Sequence, residues 1–201
     1  AAGRDPLDFR LQLLGEARDI EFPWYSWDLG RLLAALERVA EASNWGGPAP
    51  EGRGRGIAFY VYSQARKVTV VTYVMEVSVG RGGEVKVHRV VSAVDPGIVV
   101  NPNGLRAQME GGIIDGLATA LYGEITVEAG RVQQSNYDDY RLLSIAESPE
   151  IEVHILPTDN PPAGMGEPPL PPAAPALTNA IFAATGKRIR RLPIQPQDLA
   201  G

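Results

Sequence analysis

The sequence predicts an α+β fold, a mainly antiparallel sheet with packed helices arranged in two layers. Two observations lead there. The stretches 56–63, 67–80 and 84–95 are dense in β-branched and aromatic residues, show partial alternation and are separated by short turn signals. Segments 101–123 and 172–185 instead place apolar residues at helical spacing. With 201 residues, of which 44% are hydrophobic and 21% charged, the chain is long enough to bury a sizeable core.

Taken in order, Asp5-Pro6 ahead of Leu7, Phe9, Leu11 and Leu14 predicts a short helix with an Asp cap and Pro in its first turn. Residues 21–28, EFPWYSWD, read as an aromatic linker, and Asp28 can cap a second helix whose apolar face is Leu32, Leu33, Leu36, Val39 and Ala40. The Gly- and Pro-rich stretch 44–56 predicts a domain boundary. It divides an N-terminal helical segment and linker, 1–48, from a C-terminal domain, 49–201. Three strands follow, with a turn at 80–84. Residues 124–134 predict a small hairpin turning at Ala129-Gly130, and 150–156 another strand, with Ile151, Val153 and Ile155 on one face. The long helix 101–123 can be capped by Asn101 or Asn103 and ended by Gly123 in a left-handed turn. Its stripe is Leu105, Met109, Ile113, Leu117 and Leu121. The last helix, 172–185, carries Ala174, Leu177, Ile181 and Ala184 and stops at Gly186.

Composition removes several functions. A net charge of −5 gives no electrostatic support for a nucleic-acid partner. No cysteine is present, so this chain holds no disulfide, thiolate-bound metal or iron–sulfur cluster. Two histidines are too few for a histidine-rich metal site, so no direct protein ligand to a metal is expected. No apolar run is long enough to cross a membrane, and the N-terminus lacks a signal-peptide pattern. Compartment is left open. Without an initiator methionine, the chain reads as a stretch from within something longer.

Residues 163–176, AGMGEPPLPPAAPA, carry the sharpest signal. Eight of the 17 prolines lie between Pro157 and Pro175, and they close in directly behind Glu167. Gly164 and Gly166 permit unusual backbone angles, while Pro168 and Pro169 stiffen the chain and bias Glu167 toward extended angles. A carboxylate held so firmly suits a catalytic base, because small misplacements cost large factors in rate. PPLPP, 168–172, also has PxxP spacing, which opens an alternative: a scaffold or docking module using the Pro-rich segment 168–175, or a catalytically silent fragment. The apolar helix that follows argues against an exposed ligand. Gly111, Gly112 and Gly116 sit within an amphipathic helix, where each costs about 1 kcal/mol relative to Ala. They signal either tight helix packing or close approach of a ligand, and Gln108 and Glu110 lie a turn before them, near the end whose backbone N–H groups favour oxyanions. Asp138 and Asp139 read as a solvated turn rather than a metal or acid–base pair. GRGRG at 52–56 lacks the phosphate-loop context and reads as a turn into a strand.

Residues 164–194, beginning GMGEPPLPP, resemble the C-terminal signature of the molybdenum hydroxylases, the xanthine dehydrogenase and aldehyde oxidase family. Residues 94–126, with QMEGG, are similar to a second signature of that family, and 130–143 to the branch that holds the β-subunits of isoquinoline 1-oxidoreductase. The resemblance covers nearly the whole chain. It implies an oxidoreductase, the C-terminal portion of a molybdopterin-binding subunit that oxidises N-heterocycles or aldehydes with a water-derived oxygen. It implies a molybdenum–pterin cofactor, as molybdopterin or its cytosine dinucleotide form, and [2Fe–2S] clusters on a partner chain. The remainder of the molybdenum subunit and an electron-transfer subunit are the implied partners. It casts Glu167 as the base that activates the attacking oxygen and Gln108 as a pterin contact, with Gly111, Gly112, Gly164 and Gly166 also at the cofactor. Because that subunit is several times longer than this chain, the N-terminal helices, with Leu32, Leu36 and the aromatics Trp24, Tyr25 and Trp27, are expected to meet further chain and to leave an apolar patch when alone.

Overall fold

A computed structural model describes residues 3–23, 25–64 and 67–200. The elements run α1 (Pro6–Leu14), β1 (Asp19–Phe22), β2 (Tyr25–Asp28), α2 (Leu29–Ser43), β3 (Arg53–Gln64), β4 (Lys67–Val79), β5 (Val85–Asp95), α3 (Pro102–Leu121), β6 (Val127–Glu128), β7 (Arg131–Val132), β8 (Glu150–Ile155), α4 (Ala173–Thr185) and α5 (Pro196–Leu199).

β3, β4 and β5 form an antiparallel meander, and β8 joins its β5 edge in parallel, giving the order β3-β4-β5-β8. The single parallel pair follows from the path of the chain, which leaves β5, runs through α3 and the β6–β7 hairpin, and returns in the original direction. The sheet is therefore mainly antiparallel, as expected. Its layering differs from the expectation of two, because helices cover both faces. On one, Val71, Tyr73, Met75 and Val77 of β4 meet Met109, Ile113 and Leu117 of α3 and Leu177 and Ile181 of α4. On the other, Val70 and Val74 of β4 meet Leu29, Leu32, Leu36 and Val39 of α2. β4, buried on both faces, reads as a near-continuous apolar run for this reason.

α2 corrects the N-terminal expectation. Leu32 and Leu36 are fully buried against this chain's own sheet and contribute to no exposed patch. Trp27 packs partly against the same cluster, Trp24 and the side chain of Tyr25 lie outside what is described, and the segment read as an aromatic linker pairs as the β1–β2 hairpin. The caps are as expected for α1 and α2. The Asp5 carboxylate accepts from the N–H groups of Leu7 and Asp8, and that of Asp28 from Gly30. Asn101 caps α3, accepting from the Gly104 N–H at 3.0 Å. Gly123 does bond back to Ala118 and Thr119, but its φ is not positive, so α3 ends without the expected left-handed turn. α4 stops at Gly186 with φ 75°.

GRGRG is a turn leading into a strand, as expected: Gly52 closes the turn with φ 73°. β3 begins at Arg53, and its glycines seat α4 directly on the backbone. A Cβ at Gly54 would meet the Ala184 nitrogen at 2.3 Å, and one at Gly56 the Ala180 nitrogen at 2.2 Å.

Candidate functional site

The segment from Pro157 to Pro172 crosses the end of the sheet where β4 begins and β5 finishes. It is held from several sides. The Ile98 N–H donates to the Asn160 carbonyl at 2.9 Å, and the Ala163 N–H to the Pro96 carbonyl at 2.7 Å. Thr69 Oγ1 donates to the Gly164 carbonyl at 2.9 Å, and the Tyr73 hydroxyl to the Pro169 carbonyl at 2.6 Å. Burial pushes the Tyr73 phenol well above its usual pKa, which keeps it a donor. The turn that receives this segment is itself fixed. Asp95, almost fully buried, accepts from Arg31 of α2 in a fork, Nε–Oδ2 2.6 Å and Nη2–Oδ1 2.9 Å, and from the Gly97 N–H at 3.0 Å. Sequence reasoning misses Arg31, Thr69, Tyr73 and Asp95. Asp-Pro-Gly at 95–97 is a turn signal, but nothing in the chain marks Arg31 as its partner.

α3 lies alongside. The Gln108 carboxamide nitrogen donates to the Met165 carbonyl at 3.3 Å, tying this helix to the loop that carries Glu167. Gln108 is in the second turn of a helix that starts at Pro102, where backbone N–H groups bond within the helix. What it offers is its side chain, not the helix-end amides the sequence suggested. Gly112 admits the loop: a Cβ there would stand 2.5 Å from Pro169 Cβ. Gly116 does the same for Ala173, at 2.5 Å. Beside Gly111, Gly164 and Gly166 a Cβ would meet nothing within 4 Å.

The loop that carries Glu167 is held mainly through its carbonyls. Its carbonyls at Gly164, Met165, Glu167 and Pro169 all accept from the protein, Glu167 from the Leu170 N–H at 3.0 Å. Among the described residues, the N–H groups of Gly164, Met165, Gly166 and Glu167 donate to no protein acceptor, and Gly164, Gly166 and Glu167 are exposed. Four consecutive N–H groups without a protein partner among the described residues thus lead up to the Glu167 carboxylate. Pro168, Pro169 and Pro172 are buried, so the proline run is a structural brace and not a free docking peptide. Elsewhere, Asp139 accepts from the N–H groups of Ser135 and Asn136 in an exposed turn, and it and Asp138 hold the place of a solvated turn. Among the described residues no group of three or more His, Asp or Glu side chains could hold a metal ion.

The fold is a mixed sheet with helices on both faces, and the chain belongs to the molybdopterin cofactor-binding domain family, whose model matches residues 27–149. It is 38% identical over 196 residues to the beta chain of isoquinoline 1-oxidoreductase from Brevundimonas diminuta, covering 96% of this chain and 23% of that one. It is 32% identical over 123 residues to the molybdenum-binding chain of a xanthine dehydrogenase from Escherichia coli O157:H7, covering 58% of this chain and 16% of that one. Among solved structures, the aldehyde oxidoreductase of Desulfovibrio desulfuricans superposes with a TM-score of 0.59 at 27% identity, covering 66% of this chain and 15% of that one. This chain spans about a quarter or less of the length of these relatives. The unpartnered N–H groups of residues 164–167 and the Gln108 carboxamide fit the acceptor groups of a pterin, its carbonyl, its unprotonated ring nitrogens and its phosphate, and Gly111, Gly164 and Gly166 leave room beside them.

Proposed function

We propose that this chain forms one wall of the active site of a molybdenum-dependent hydroxylase or dehydrogenase acting on an N-heterocycle or an aldehyde. The bond from Gln108 to the Met165 carbonyl carries the reading, because it sets the proposed pterin contact and the proposed base on one edge. When bound, the molybdenum–pterin group supplies the two-electron oxidation. Gln108 and the amides of residues 164–166 hold it, and the open flanks of Gly111, Gly164 and Gly166 let it come close. The Glu167 carboxylate accepts the proton of the water-derived oxygen as that oxygen attacks substrate carbon. Gly112 acts at one remove, seating Pro169 so that the loop stays in place. Residues 49–201 form the cofactor-binding domain, with 1–48, the helices α1 and α2 and the β1–β2 hairpin between them, laid on its sheet. Electrons leave through a partner chain with [2Fe–2S] clusters, since this chain has no cysteine.

The test is made in the complex reconstituted with the remainder of the molybdenum subunit and the electron-transfer chain. Glu167→Gln is expected to lower turnover per molybdenum by a factor of about 10²–10⁴, the usual cost of losing a general base, with molybdenum content unchanged. Gln108→Ala is expected to lower molybdenum content first. Normal turnover per molybdenum in Glu167→Gln would exclude the glutamate as base.

A further inference from the structure

We propose that a cavity of about 580 Å³ between α1, β3 and α4 binds a carboxylate carried on a flat apolar body. Its walls bring together Arg4, Arg10, Arg55 and Arg188 with Phe9 and Phe182, and no described lining residue is acidic. It shares no residue with the Glu167 loop or with the 108–112 segment of α3. In a chain of net charge −5, four guanidinium groups around one cavity run against the overall field.

Only one of the four is neutralised. Arg55 pairs with Glu76 at 3.1 Å and donates to the carbonyls of Asn44, Gly47 and Pro48, so it belongs to the frame. The other three form no ion pair among the described residues and lean on neutral acceptors. Arg4 donates to the Gln12 carboxamide oxygen, Arg10 to the carbonyls of Pro6 at 2.7 Å and Ile57 at 3.5 Å, and Arg188 to Asn179 Oδ1 at 3.3 Å. Asp5, the carboxylate beside Arg10, already accepts from Leu7, Asp8 and the Trp45 indole. Burial lowers the Arg10 pKa below its ordinary value and Asp5 offsets this in part, the signature of a guanidinium short of water and of a full counter-charge.

The apolar part selects among anions. The Arg188 guanidinium sits over the Phe182 ring, its Cζ 3.4 Å from the centroid. Phe182 and Phe9 are 36% and 37% exposed. A carboxylate can take paired N–H donors from a guanidinium, while a ring attached to it covers the phenyl groups. A bare phosphate satisfies the donors and leaves both rings wet.

The experiment is calorimetric titration of the 201-residue chain with 1-naphthoate, against 1-naphthalenemethanol and inorganic phosphate. Saturable 1:1 binding of naphthoate is expected, weakened at least about tenfold by Arg188→Gln and by Arg10→Gln, and weakened by added salt. Ala183→Trp, which fills the cavity from α4 without removing a charge, is expected to abolish it. The methanol analogue and phosphate should each bind at least about tenfold more weakly. No saturable binding up to about 10 mM overturns the proposal, as does binding indifferent to Arg188→Gln and Ala183→Trp in proteins whose circular dichroism matches the parent. Phosphate binding as tight as naphthoate overturns the apolar part of the assignment.

Discussion

At Tyr73 a single hydroxyl joins the core to the loop that carries Glu167. The phenol is wholly buried and donates to the Pro169 carbonyl at 2.6 Å. Tyr73→Phe keeps the ring and strands that carbonyl, so a loss of about 1–3 kcal/mol is expected in urea unfolding. Glu147 is held at the surface by a denser set of bonds. Ser144 binds its carboxylate through Oγ at 2.6 Å and through the backbone N–H at 3.0 Å, and the Tyr122 hydroxyl adds a bond at 2.7 Å; together these hold its pKa down at about 2. A carboxylate with a depressed folded-state pKa stabilises the fold fully above its ordinary value of 4.5, and the contribution is lost as pH falls toward about 2. Ser144→Ala is expected to lower stability at neutral pH and to flatten its fall between those two values. Acid titrations followed by circular dichroism check this; parallel curves for the two proteins would contradict it.

At the scale of elements, α3 separates two glycines that look alike in the sequence. Gly112 is packed against Pro169 and Gly111 faces open space. Gly112→Ala must push the Pro168–Pro169 brace away, and overpacking of this kind costs about 1–3 kcal/mol. Gly111→Ala gains up to about 1 kcal/mol of helix propensity and should raise the melting temperature of the chain. If the flank of Gly111 receives the cofactor, the same substitution lowers molybdenum content in the reconstituted complex. Higher stability with unchanged molybdenum content would leave Gly111 no part in binding. GRGRG was legible as a turn running into a strand, but not the use of its later glycines: Gly54 and Gly56 form a strand face on which the α4 backbone rests.

For the whole molecule, the donors proposed to hold the cofactor, the amides of 164–167 and the Gln108 side chain, lie together on one loop and the helix beside it. A group bound from one side only stays in competition with water. The isolated chain is therefore expected to purify with molybdenum well below one per chain, measured by elemental analysis, while addition of the remainder of the molybdenum subunit raises it. Stoichiometric metal in the chain alone would refute this. The same scale explains α2, whose apolar face was legible but whose destination was not. Leu32 and Leu36 cover the second face of this chain's own sheet, which a two-layer reading had no helix to spare for.

Periodicity, caps and turn residues were enough to find the four strands of the main sheet, α2, α3, α4 and the Ala129-Gly130 hairpin, because those signals act between residues close in the chain. The Gly–Pro frame around Glu167 was legible for the same reason, and the roles proposed for Glu167 and Gln108 rest on resemblance to a family. Three things belonged to the tertiary structure alone. Gln108 meets the Met165 carbonyl across 57 residues of sequence, Arg31 forks Asp95 across 64, and β8 pairs parallel to β5 after a long crossover. Each depends on how separate elements settle once both faces of the sheet are covered, and a one-residue change of register or an alternative face for α2 would leave every local signal intact while moving all three.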